Sequence, residues 1–213
     1  MDMEITGHIP RESWLRAMGA SDMQDSSIMK MMDEAENIIF EAAEPKAIYR
    51  IMDIREIKIS GYSLARHLTG CGSVAVMALT LGIGVDNVIR KLQVTDMAKA
   101  VTADSGASIL TEQLCDRFEE HIRYNVKGYM TCRFSPGYGD SPLEMQKDII
   151  SYVDAWRKIG LNITSSYLMV PRKSVTAVMG ISEYPVTGRL ATCDECILKD
   201  KCTLRKEGKF CGD

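Results

Sequence analysis

Two places in this 213-residue chain carry side chains at spacings suited to chemistry. The first is the segment Arg133-Phe134-Ser135-Pro136-Gly137-Tyr138-Gly139-Asp140-Ser141-Pro142. An arginine stands at a strand end, a rigid proline follows, and two glycines flanking a tyrosine let a ligand approach the backbone closely. A guanidinium holds a carboxylate in bidentate fashion, and a tyrosine offers its π-face to a cation such as a sulfonium. Such a loop suits a small zwitterion. The same residue types also build an ordinary strand-to-helix turn in which Arg133 pairs with a surface acid, and spacing alone leaves both readings open.

The second place is the C-terminal tail, where four of the seven cysteines fall within the last 21 residues. Cys193, Cys196, Cys202 and Cys211 read Cys-x2-Cys-x5-Cys-x8-Cys. Four thiolates so close in sequence can close a tetrahedral zinc site or ligate an iron–sulfur cluster. The tail lacks the paired Cys-x2-Cys knuckles of a zinc ribbon. Its first three cysteines are similar to part of the auxiliary-cluster pattern of some iron–sulfur enzymes. Lys199, Lys201, Arg205, Lys206 and Lys209 would offset the charge of a thiolate-bound centre. A disordered or disulfide-linked tail is the remaining reading. Cys71, Cys115 and Cys132 stand in apolar or helical surroundings and read as small buried hydrophobes.

Other motifs are incomplete. Gly82-Ile83-Gly84 and Gly137-Tyr138-Gly139 each follow a strand-like run, but Asn87 and Pro142 occupy the third glycine position of the dinucleotide fingerprint. No Gly-Lys-Ser/Thr phosphate loop and no Gly-x-Ser-x-Gly elbow is present. His8, His67 and His121 are far apart and lack partners at ligand spacing, so they read as surface groups or as making one satisfied hydrogen bond.

The elements that must position these residues follow from periodicity. A short strand is expected over 4–9, then a helix from Pro10 carrying Trp14, Leu15 and Met18. Residues 21–43 place Ile28, Met31, Met32, Ala35, Ile38 and Ile39 on one helical face. Residues 47–59 look extended, 61–68 helical, and 73–81 read as a buried strand. Residues 85–126 form two helices with a break near Val94 and Thr95. The second carries the stripe Leu110, Leu114, Phe118, Ile122. A strand over 129–134 leads into the loop. Ser141 and Glu144 then make a capping box, with Pro142 at the first position of a helix running to Lys158 and ended by Gly160. Strands over 165–169 and 174–181 close the pattern, interrupted by Pro171. Short turns join several strands, so the expected class is α+β, a mostly antiparallel twisted sheet with long helices packed on it. The expected organisation is one domain over 1–190 and a cysteine-rich tail over 191–213.

Composition narrows the partners. The hydrophobic fraction is 46% and the charged fraction 26%, as in a globular protein. Lysine and arginine number 26 against 29 acids, a net charge of −3 that disfavours phosphate-driven nucleic-acid binding. The apolar run over 74–85 is broken by Thr80, Gly82 and Gly84 and is too short to span a bilayer. Met1-Asp2-Met3-Glu4 begins no secretion signal. The expectation is a cytoplasmic protein that uses neither nucleic acid nor membrane.

The motif Arg133-x-Ser-Pro-Gly-Tyr138-x-x-x-Pro142 resembles the arginine–glycine–tyrosine motif of the activation domain of cobalamin-dependent methionine synthase. Ile163-Thr164-x-Ser166-Tyr167-x-Met169-x-Pro171-x-x-Ser174-Val175 is similar to that family's closing strands, and Leu114-Cys115-Asp116-Arg117-Phe118 to its long helix. The likeness runs over about 70–181, and the chain resembles a short, free-standing form of the domain. The family's acidic helix ligand is a glutamate, and the matching Asp116 is one methylene shorter.

The resemblance implies reactivation of a corrinoid-dependent methyltransferase, the methionine synthase core, by S-adenosylmethionine-dependent reductive methylation of cob(II)alamin. It implies that Arg133 holds the carboxylate of S-adenosylmethionine. Ser135, Gly137 and Tyr138 shape the groove, and Asp116 takes the amino group or orients the sulfonium. The corrinoid would be carried by the partner, with flavodoxin or ferredoxin as electron donor. An iron–sulfur cluster in the tail would relay the electron, whereas zinc would be structural. Two alternatives use the same residues: a non-catalytic adaptor that docks on a corrinoid protein, and a reactivator of a different corrinoid methyltransferase.

Overall fold

The computed structural model describes residues 1–20, 25–186, 188 and 200–206. These fall into two compact units. One comprises 1–48, 78–121 and 154–175; the other comprises 49–77, 122–153 and the chain from 176 onward.

The fold class is α+β, as expected. A four-stranded sheet has the order β1-β2-β6-β3, from β1 (Lys46–Asp53), β2 (Ser73–Thr80), β6 (Ser174–Ser182) and β3 (Tyr129–Met130). Its neighbours run antiparallel. The Glu44 and Ile54 N–H groups, before and after β1, donate to Leu81 and Gly72 at opposite ends of β2. In the same way Gly72 donates to Ile181, and Leu81 to Lys173. Tyr129 pairs with Ser182 and Met130 with Ile181. Val74 through Leu79 are fully buried on both faces, which is why this strand reads as a continuous apolar run rather than an alternating one.

In the first unit, α1 (Arg11–Ala17) and α2 (Ser26–Ala42) precede β1. Asp25 caps α2, its carboxylate accepting the Ser27 N–H at 2.8 Å. Helix α2 packs against α4 (Ile83–Thr95). The contact is close enough that a Cβ on Gly84 would lie 2.2 Å from the Ala42 carbonyl oxygen. Gly84 therefore serves helix packing, not a phosphate loop. Helix α5 (Met97–Asn125) follows after a break at Asp96, one residue beyond the expected break. Leu110, Leu114 and Phe118 of its stripe are buried, as is Trp14, whose ring lies against Gly106.

Three expectations are corrected. Residues 4–9 form no strand. Instead Arg117 of α5 donates to the Glu4 carbonyl at 2.9 Å, and Ile9 donates its N–H to Glu36 at 2.7 Å. The helix expected over 141–158 starts late and is broken. Its opening turn is closed by i→i−3 bonds from Met145, Gln146 and Lys147 to Pro142, Leu143 and Glu144, and the Ser141 hydroxyl donates to Met145 Sδ. Helix α6 (Met145–Val153) then stops at Asp154, in the left-handed conformation at φ 53°, before α7 (Ala155–Ile159). The strand expected over 165–169 is a hairpin of β4 (Asn162–Ile163) and β5 (Met169–Val170). Its turn is tied by Thr164, whose hydroxyl and N–H both engage Leu168.

The second unit holds α3 (Tyr62–His67), β3, α6, most of β6 and the loop between β3 and α6.

Candidate functional site

The Arg133 loop is built from the sheet outward. The strand entering it is held on both sides. Thr131 donates its N–H to the Gly180 carbonyl at 3.0 Å, and its hydroxyl accepts the Gly180 N–H at 2.8 Å. Arg123, near the end of α5, donates to the Met130 and Thr131 carbonyls at 2.9 and 2.7 Å. Phe134 and Val178 exchange backbone bonds of 3.0 and 2.9 Å. Arg133 is thus fixed between two anchored residues and is half-buried.

Beyond Phe134 the chain folds onto itself. Gly137 donates to the Ser141 carbonyl at 3.0 Å, and Ser141 donates back to Tyr138 at 3.0 Å. Gly137 and Gly139 take φ of 91° and 59°, conformations open to glycine at little cost. Pro136 is buried and Ser135 half-buried, while Gly137 and Tyr138 are exposed, Tyr138 at 56%. The loop presents an aromatic face and open backbone beside an arginine, which is what recognition of a zwitterion with a cationic centre requires.

Helix α3 supplies what sequence reasoning missed. The Asp140 carboxylate accepts the N–H groups of Tyr62 and Ser63 at 2.7 and 2.8 Å, capping α3 from far along the chain. These bonds hold the Asp140 carboxyl below its ordinary value. Gly61, at φ 94°, makes room for the approach, since a Cβ there would lie 2.9 Å from the Asp140 carbonyl oxygen and Ser141 Cα. At the other end of α3, His67 is buried. Its Nε2 lies 2.9 Å from the Cys132 carbonyl, so Nε2 donates, and its ring packs on Phe134 at 5.2 Å. Gly188, at φ 71°, covers this histidine; a Cβ there would lie 2.6 Å from His67 Cε1 and 2.8 Å from Thr131 Cβ. Asp140 and His67 carry local signals of a turn and a helix, but nothing local in the sequence shows that one element binds both.

Asp116 lies on α5 in the first unit and is exposed, whereas Arg133, Ser135, Gly137 and Tyr138 lie in the second. The helix turn around Asp116 is engaged with the N-terminal segment, through Arg117 on Glu4 and a long 3.5 Å contact from Gln113 to the His8 carbonyl. A small cavity of about 40 Å³ in the first unit, lined by Asp86, Arg90, Asp104, Arg172 and Lys173, contains none of the expected site residues. Lys173 bonds there to the Asp104 carboxylate at 2.9 Å and to Ser108 at 2.9 Å, an internal ion pair between chain segments.

Of the tail, Cys193, Cys196 and Cys211 lie outside the described residues. Cys202 is half-buried and its carbonyl accepts the Lys206 N–H at 3.3 Å, at the start of α8 (Thr203–Lys206). Among the described residues no three His, Cys, Asp or Glu side chains converge to hold a metal, and no helix is long and apolar enough to cross a membrane.

Comparison with known proteins places this geometry. No curated protein matches the chain. Among solved structures, the crystal structure of the MetH reactivation domain bound to AdoHcy superposes with a TM-score of 0.57 at 16% identity, covering 96% of this chain and 78% of that one. At that identity the likeness is one of fold. The family model described as vitamin B12 dependent methionine synthase, activation domain, matches residues 60–186. That span takes in α3, β2, α4, the whole of α5, the Arg133 loop and β6. The arginine–glycine–tyrosine loop lies within the matched span, and the chain is a member of the vitamin B12 dependent methionine synthase activation-domain family.

Proposed function

We propose that this protein binds S-adenosylmethionine and presents its methyl group to the corrinoid of a partner methyltransferase, the methionine synthase core. The observation that carries this reading is that the family match spans the whole loop and both elements that anchor it. The partner's corrinoid is the methyl acceptor: one electron reduces cob(II)alamin, the methyl carbon leaves sulfur for cobalt, and S-adenosylhomocysteine remains. This chain's work is positioning. Arg133 pairs with the carboxylate, Tyr138 turns its face to the sulfonium, and Ser135 and Gly137 offer backbone to the groove. Asp116 takes the amino group.

The tail extends the proposal. Cys193, Cys196, Cys202 and Cys211 hold a thiolate-ligated centre, and the donor set of four soft ligands fits either iron–sulfur or zinc. An iron–sulfur cluster would relay the electron, supplied by flavodoxin or ferredoxin; zinc would tie the tail.

Two measurements test the reading. Calorimetry with S-adenosylmethionine should show binding that Arg133→Ala abolishes. Anaerobic spectroscopy of a cob(II)alamin methyltransferase with this protein, a reductant and S-adenosylmethionine should show methylcobalamin. Absence of binding would leave a docking adaptor, and binding without methylcobalamin formation would assign a different corrinoid partner. Iron and sulfide in anaerobically purified protein would establish a cluster, whereas full zinc occupancy without sulfide would remove the electron relay.

A further inference from the structure

We infer that α3 is the positioning brace of the Arg133 loop, through Asp140 at one end and His67 at the other. The inference rests on the loop's proposed role in holding the carboxylate end of S-adenosylmethionine. The loop follows Cys132, stays bonded to β6 at Phe134, and turns into the approach to α6 at Ser141. Both ends are fastened to the same six-residue helix. Its first N–H groups bind Asp140, and its last residue, His67, binds the Cys132 carbonyl and packs on Phe134.

A helix rises about 1.5 Å per residue, so Ser63 and His67 set the two fastening points roughly 6 Å apart along a rigid rod. The geometry leaves little slack. Gly61 lacks room for a Cβ against Asp140 and Ser141, and Gly188 lacks room for one against His67. Cys132 and Phe134 are the two neighbours of Arg133, and His67 touches both. α3 therefore joins the bonds of Thr131 and Phe134 to β6 in setting the direction in which Arg133 leaves the backbone, although neither Asp140 nor His67 needs to touch the ligand. A nine-residue loop released from this brace would have to be ordered by the ligand itself, which weakens binding of the part the loop recognises.

This reasoning separates a positioning effect from general damage. Within the loop Arg133 recognises the carboxylate end, so loss of the brace should weaken AdoHcy more than 5′-methylthioadenosine, which lacks the amino-acid group. In the full-length protein, Asp140→Ala should weaken AdoHcy about tenfold, as expected when hydrogen bonds to a charged anchor are lost, and weaken 5′-methylthioadenosine clearly less. Asp140→Asn, which keeps one acceptor, should fall between Asp140→Ala and the unaltered protein. The brace is overturned if Asp140→Ala and Asp140→Asn weaken both nucleosides alike, or change neither. If the unaltered protein binds neither nucleoside, or binds both equally well, the methyl-donor reading itself fails and the brace fails with it.

Discussion

Gly106→Ala tests how α5 is seated in the first unit, because two opposing effects of known size meet there. Replacing a mid-helix glycine by alanine ordinarily stabilises a helix by about 1 kcal/mol. Here the new Cβ would lie 2.3 Å from Trp14 Cζ2 and 2.5 Å from Cε2, against an optimal carbon–carbon separation of about 3.5–4.0 Å. Either the ring or the helix must move by more than about 1 Å. Trp14 has no freedom to move cheaply. It is fully buried, and its indole N–H donates to the Thr102 carbonyl at 2.9 Å and reaches the Ser105 hydroxyl at 3.3 Å.

Overpacking costs about 1–3 kcal/mol, and losing the indole bond adds about 1–2 kcal/mol. Set against the helix gain, the net destabilisation is about 1–4 kcal/mol. For a chain of this size each kcal/mol lowers Tm by roughly 2–4 °C, so a drop of about 2–16 °C is expected by calorimetry or circular dichroism. A Tm equal to or above that of the unaltered protein would refute the reasoning. It would show that the helix and Trp14 are not wedged together as described.

Glu36 is nearly buried and accepts from Ile9 N–H at 2.7 Å, His8 Nδ1 at 2.9 Å and Arg11 at 3.1 Å. Glu36→Ala should destabilise by about 1–3 kcal/mol, because the buried Ile9 N–H loses its acceptor while Arg11 keeps Asp33 at 2.7 Å; urea denaturation with an unchanged midpoint would contradict this. The Asp140 carboxyl is held below the ordinary aspartate value of 3.8 by its bonds to α3. Since the folded state favours the ionised form, the α3 cap is fully present above the unfolded pKa and is lost as pH falls through the lower folded one. The amide shifts of Tyr62 and Ser63 should therefore titrate with a midpoint below 3.8, and a midpoint at or above it would exclude the cap. Burial pushes the Cys71 thiol up, so at neutral pH its alkylation should be slower than that of an exposed thiol, with the fully buried Cys115 slower still. Mass mapping after brief iodoacetamide treatment checks the order.

Much of the architecture was legible because burial imposes periodicity. The stripe Leu110, Leu114, Phe118, Ile122 is buried on α5, and the apolar run of β2 is a central strand. The break between α4 and α5 falls at Asp96, beside the expected position. Misread segments are those where side chains outcompete backbone pattern. Residues 4–9 alternate like a strand but are claimed by Arg117 and Glu36, and Asp154 tolerates the left-handed turn that divides the expected helix.

The same division runs through the site. Sequence alone determined the Arg133–Tyr138 motif, its family and the four-cysteine spacing, because each is a pattern of residue types at short separation. Only the tertiary structure decided what holds the loop. The partners of Cys132 and Asp140 lie on α3, 65 and 77–78 residues earlier in the chain, and hydrogen bonds across such separations leave no periodic trace in the sequence. A capping aspartate or a buried histidine acquires its role from the element that folding brings beside it.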